Sequence, residues 1–193
     1  INLSIISTIG TATAVTASTI QHTESIEKQL NVAFITDLHI GEGCNGDLSY
    51  DSCKPVRTLS IAIEKINNLS DLSEIDCVFA TGDLTSSALI EEFEKVRELL
   101  DTLKVPFYPV LGNHDSYPYI KHSDGSFNQT QYAMGDQYFG SIFQDILSNE
   151  ASNSNVANWT TELCYNEDTT YKSWFHNYEV SFQNFSIRLG GTQ

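Results

Sequence analysis

Basic residues are scarce. Lys and Arg together number 10 against 25 Asp and Glu, giving a formal net charge of −15 over 193 residues. A surface of that sign repels phosphate backbones and anionic bilayers, which argues against nucleic-acid polymers and membrane surfaces as partners. No apolar run approaches the ~20 residues that a membrane-spanning helix needs. None of the four cysteines forms a Cys-x-x-Cys pair, so a structural zinc site is not expected. No internal repeat is present, and the first residue is Ile rather than Met.

The composition is that of a globular chain, with 40% hydrophobic and 18% charged residues. Such a chain can bury a core. Residues 1–18 are small, apolar and rich in Thr and Ala, without Lys or Arg. They resemble the apolar core and cleavage end of a secretory signal, with Val15 and Ala17 at the small-residue positions. A flexible tail is the alternative. Residues 1–30 are therefore read as leader and linker, and 31–193 as one domain. Sequons begin at Asn2, Asn68, Asn128, Asn158 and Asn184. With the leader, they point to a secreted or lumenal glycoprotein. Cys44 and Cys53, nine positions apart in one polar loop, could pair in an oxidising compartment. Cys77 reads as a buried thiol, and Cys164 has no evident partner.

Residues 32–36, 75–80 and 107–111 form short apolar runs that read as buried strands. Between them, Leu59, Ala62, Ile63 and Ile66 fall at helical spacing, as do Ile90, Phe93, Val96, Leu100 and Leu103. The second stretch has a charged face from Glu91 to Asp101, read as solvated, with Glu91 and Lys95 spaced as an i,i+4 pair. The order β-α-β-α-β predicts an α/β fold with parallel strands. Residues 117–131 read as a loop, 135–147 as a helix, and 174–189 as an antiparallel hairpin turning near Gln183 and Asn184.

Each of the three predicted strands ends in a polar cluster. In open α/β sheets ligands bind beyond the carboxyl ends of strands. Asp37 and His39 are two apart, and in extended chain such side chains share a side. Asp83 arrives from the next strand end, followed by Asn113 and His114 from the third. Mixed oxygen and nitrogen donors suit divalent Mn, Fe, Zn or Co. Taken singly, each of these residues could equally be a turn former. His22, His122 and His176 lack such a setting, and Tyr117, Tyr119 and Tyr132 read more simply as loop packing than as pocket lining.

Asp37-Leu38-His39, Gly82-Asp83 and Gly112-Asn113-His114-Asp115 match, in order, the first three blocks of the calcineurin-like metallophosphoesterase superfamily, which the chain resembles over about residues 31–119. The resemblance implies a four-layer α/β/β/α sandwich, of which β-α-β-α-β is the start. It also implies hydrolysis of phosphomonoesters or phosphodiesters by a metal-activated hydroxide at a dinuclear site. By the same resemblance Asp37 and His39 hold the first ion, Asp83 bridges both and Asn113 holds the second. His114 contacts the substrate phosphate and helps protonate the leaving group, and Asp115 orients His114. The family's later Gly-His and Gly-His-x-His blocks do not occur, and no histidine follows His176. The expectation is a domain incomplete at its C-terminal side; the alternative is a non-catalytic relative that keeps the fold for binding.

Overall fold

The computed structural model describes residues 2–9, 29–72, 74–116, 118–121, 127–129, 134–148, 156–165, 172–182 and 185–190. The alternation of apolar runs and amphipathic stretches becomes strands β1 (Asn2–Ile9) and β2 (Gln29–Thr36), helix α1 (Lys54–Asp71), β3 (Cys77–Thr81), α2 (Ile90–Leu100) and β4 (Phe107–Val110). A 3-10 turn (Asn113–Asp115) follows β4 directly. Strands β2, β3 and β4 are parallel and adjacent, so their carboxyl ends lie side by side.

Burial follows the helical spacing. Leu59, Ile63 and Ile66 of α1, and Phe93, Val96 and Leu100 of α2, are buried in one core with Val78, Phe79 and Tyr108. The Phe34 and Phe79 rings stack at 5.4 Å between centroids, which fixes the β2–β3 register on that face. Burying a side chain of this size is worth roughly 1.5–3 kcal/mol. Burial also pushes the Cys77 thiol up to about 12, in keeping with an inert core cysteine.

Several expectations need correction. The flexible-tail alternative fails over residues 2–9, which pair antiparallel with β2 from Asn2 opposite Thr36 to Ile9 opposite Gln29. Their Ile, Ser and Thr residues suit a strand as well as a signal core. Within 117–131 the structure has a small hairpin, β5 (Tyr119–Lys121) with β6 (Phe127–Gln129). Three-residue strands are too short to leave a period in sequence. The helix expected at 135–147 is split into α3 (Met134–Ile142) and α4 (Gln144–Leu147). Phe143 leaves helical geometry at the break and packs its ring 5.1 Å from that of Phe139.

A second sheet holds β7 (Val156–Tyr165), β8 (Lys172–Phe182) and β9 (Phe185–Gly190), in that order and antiparallel. The expected β8–β9 hairpin is present, with Phe182 opposite Phe185. Strand β7 was hidden because polar Asn and Thr residues interrupt its alternation. This sheet meets the rest through α3 and α4, and Val180 of β8 is fully buried in the common core.

Cys44 and Cys53 form a disulfide that clips the loop between β2 and α1. Of the sequons, Asn68 is exposed on α1, Asn128 and Asn158 lie on β6 and β7, and Asn184 is outside the described residues. His22, His122, Tyr117 and Tyr132 are also outside them. Among the described residues no helix is long and apolar enough to cross a membrane.

Candidate metal centre

The polar clusters sit where β2, β3 and β4 end. Asp37 and His39 do not converge through extended chain, as i and i+2 in a strand would. Their φ values are 56° and 45°, and Asp83 has 47°. All three lie in the left-handed region, which costs a non-glycine residue on the order of 1–3 kcal/mol in strained settings. Backbone bonds between the two loops hold these angles. His39 N donates to Asp83 O at 2.9 Å, Ile40 N to Leu84 O at 3.1 Å, and Ser86 N to Ile40 O at 2.9 Å. The left-handed kinks turn the side chains toward a common point.

His39 Nε2 lies 3.8 Å from Asp83 Oδ2 and 4.0 Å from Asp37 Oδ1. His39, Asp83 and His114 each present a ligand atom within 4.8 Å of the others. The His39 and His114 rings meet edge-on, 4.8 Å between centroids. Asp83 divides its oxygens: Oδ1 accepts the His114 amide at 3.0 Å, leaving Oδ2 on the His39 side. Gly112 makes this possible, because a Cβ there would collide with the backbone nitrogen and Oδ1 of Asp83. Asn113 is the exposed first residue of the same turn, beside His114.

The donor set fits a divalent cation. Two carboxylates and two imidazoles face one another at a partly exposed site, and among the described residues no Lys or Arg pairs with either carboxylate. Such a cluster needs positive charge, and its mixed oxygen and nitrogen donors match transition-series divalent ions. His114 stands close enough to join His39 and Asp83 as a ligand, a position its assignment to the substrate phosphate had left out.

His114 is held differently from the expectation. Its Nδ1 lies 3.1 Å from Ser86 O. A carbonyl oxygen only accepts, so Nδ1 carries the proton and Nε2 is the atom left to act. Asp115 does not touch the ring. It is fully buried and accepts from Leu84 N at 3.0 Å, Thr85 N at 2.7 Å, Thr85 Oγ1 at 2.7 Å and Gly112 N at 2.8 Å. It therefore fastens the loop after β3 to the loop after β4. Burial pushes its carboxyl up to about 6, against the pull of those donors.

Glu92 was missed altogether. The helix face assigned to solvent contains this one buried carboxylate, 6% exposed, whose Oε2 accepts from Ser87 N at 2.8 Å. A Glu three residues into a helix is a capping signal, which was the available clue. Lys95, expected to pair with Glu91, reaches Glu98 instead. Burial raises the Glu92 carboxyl from 4.5 to about 7, opposed by the Ser87, Leu89 and Ser86 amides. A raised folded value favours the protonated form. Its stabilising contribution is full below pH 4.5 and is lost as pH rises through about 7. The change is on the order of 3 kcal/mol at most. Urea unfolding on either side of that window should show it, and Glu92→Gln should flatten the slope.

Beside the centre lies a cavity of about 430 Å³ lined by Asp37, Leu38, His39, Glu42, Lys54, Pro55 and Thr58. Lys95 and Lys104 are committed to Glu98 and Asp71, whereas Lys54 has no ion pair among the described residues.

A mixed α/β fold with a parallel sheet, and a carboxylate–imidazole cluster at the strand ends, fit the metallophosphoesterase class. The family model for calcineurin-like phosphoesterases matches residues 30–188, and the chain belongs to that family. A probable glycerophosphodiester phosphodiesterase of Arcobacter nitrofigilis is 36% identical over 115 residues, covering 60% of this chain and 40% of the relative. A probable cyclic nucleotide phosphodiesterase of Xenorhabdus bovienii is 26% identical over 86 residues, covering 45% of this chain and 34% of the relative. The matched segments thus span less than half the length of either relative.

Proposed function

We propose that this chain carries the metal-holding core of a phosphoesterase acting on phosphate diesters, with Asp37, His39, Asp83 and Asn113 as ligands of two divalent ions. The observation that carries this is the convergence of His39, Asp83 and His114 at neighbouring parallel strand ends, within 4.8 Å of one another. The names of both relatives favour diesters over monoesters. When bound, the cations supply Lewis acidity and lower the pKa of coordinated water. The protein's own part is placement. Asp83 presents Oδ2 while its Oδ1 fixes the turn that carries His114. With Nδ1 committed to Ser86 O, Nε2 is the His114 atom free to act, and in the doubly protonated ring it can hand a proton to the departing oxygen. Lys54, in the adjoining cavity, offers a positive charge to an anionic substrate entering a strongly acidic protein. Secretion, or residence in a lumen, remains part of this proposal, supported by the sequons and the Cys44–Cys53 disulfide.

Hydrolysis of bis(p-nitrophenyl) phosphate, with p-nitrophenyl phosphate as the monoester control, tests this. The expected outcome is turnover of the diester that rises with added Mn²⁺ and vanishes on chelation. Turnover indifferent to chelation would sink the metal role. Tight Mn²⁺ binding with no turnover would favour a binding protein, the second reading.

A further inference from the structure

We infer that Glu92 is a positioning residue for His114, acting through the single peptide group that joins Ser86 to Ser87. The carbonyl of that peptide receives His114 Nδ1 at 3.1 Å, and its N–H donates to Glu92 Oε2 at 2.8 Å. Imidazole, peptide and carboxylate therefore form one hydrogen-bond chain. In such chains each bond polarises the next, so an acceptor at the N–H end strengthens the carbonyl as an acceptor at the other. A carboxylate behind an imidazole holds one tautomer and one ring orientation. Here a peptide stands between the two.

The simpler account of Glu92 is helix capping, since α2 begins at Ile90. Capping explains a bond to the Leu89 amide. It does not explain the burial of the side chain, or its seat against the loop after β2. Gly41 lies against that carboxylate, and a Cβ at position 41 would collide with Glu92 Oε1 and Cδ. Glu92 is thus enclosed between the loop that carries Asp37 and His39 and the loop that carries Ser86. Its hydrogen bond from Ser87 N fixes the plane of the 86–87 peptide, and with it the direction from which His114 can be held.

The inference rests on His114 as a site residue, but its test needs no turnover. Long-range ¹H–¹⁵N NMR of the uniformly labelled protein, at a pH where imidazole and carboxylate are neutral and ionised respectively, reports the His114 tautomer. Wild type should show the Nδ1–H form with a slowly exchanging proton. Glu92→Ala should release the ring to exchange between both tautomers. Glu92→Gln, whose amide oxygen still accepts from Ser87 N, should keep the Nδ1–H form with faster proton exchange. Where Glu92→Ala fails to fold, the Glu92→Gln exchange rate alone decides. A wild-type tautomer protonated at Nε2 overturns the inference. So does an exchange rate in Glu92→Gln equal to that of wild type. If diester turnover is present, Glu92→Ala should lower kcat about 10–100-fold with KM little changed, and Glu92→Gln should restore most of it. Failure of turnover in every variant, with the tautomer pattern intact, would count against the phosphoesterase reading and leave the positioning role standing.

Discussion

Replacing Asp83 with Ala should abolish the stabilisation that divalent cations confer. A site that binds only the folded state raises stability by about 2.7 kcal/mol at a hundredfold excess of ligand over Kd. Asp83 supplies both the Oδ2 that faces His39 and the Oδ1 that anchors the His114 amide. Its removal takes away a ligand and loosens the turn carrying a second. Thermal unfolding with and without Mn²⁺ should show a clear rise for wild type and none for the variant, whose metal-free midpoint is itself lowered by the lost His114 amide bond. Diester hydrolysis should fall by at least ~10²–10³-fold, since each lost point of charge stabilisation at the reacting group costs several kcal/mol. A variant that keeps both its metal-induced shift and its rate would show that the cation sits elsewhere.

Asp115→Ala should cost more in folding than any other change at the site. The carboxylate is fully buried and satisfies Leu84 N, Thr85 N, Thr85 Oγ1 and Gly112 N. Truncation strands those donors without water, at roughly 1–3 kcal/mol for each left unpaired. Some would find solvent after relaxation, so a net loss of about 3–5 kcal/mol is expected, as for other broken buried charge networks. Equilibrium urea unfolding measures it directly. A loss below ~1 kcal/mol would mean that the loops after β3 and β4 are held chiefly by backbone bonds such as Gly82 N to Val110 O.

The first half of the fold was legible because its periods are long and unmixed. Leu59, Ile63 and Ile66 repeat at helical spacing over a full 18-residue helix, and all are buried as that spacing requires. The strand ends were legible for a topological reason, since parallel neighbours must bring their carboxyl ends together. What sequence could not convey was how the donors turn inward. Asp37 and His39 read as alternate residues of an extended chain, but the left-handed kinks that aim them come from bonds to Asp83 O and Leu84 O in another loop. Glu92 was obscured by its neighbours, because Glu91, Glu94 and Glu98 look alike in a charged run and only tertiary packing against Gly41 singles one out. The partner of His114 was equally invisible, because a backbone carbonyl has no sequence identity. Beyond residue 116, short strands and polar interruptions blurred the period, as at Asn158, Thr160 and Thr161 of β7.

The loops that carry Asp37, His39 and Asp83 are joined by main-chain groups, from Asp37 N through Ser86 N. Every amino acid except proline owns those groups. The aim of the metal donors is therefore insulated from most changes in the side chains between them. Residues facing the cavity, such as Glu42, Lys54 and Thr58, can be exchanged without retuning the cluster. A framework of this kind lends itself to directed evolution: libraries that vary the cavity wall should yield folded, cation-competent variants at high frequency, and proline at Ile40 or Ser86 should be the substitution they tolerate least.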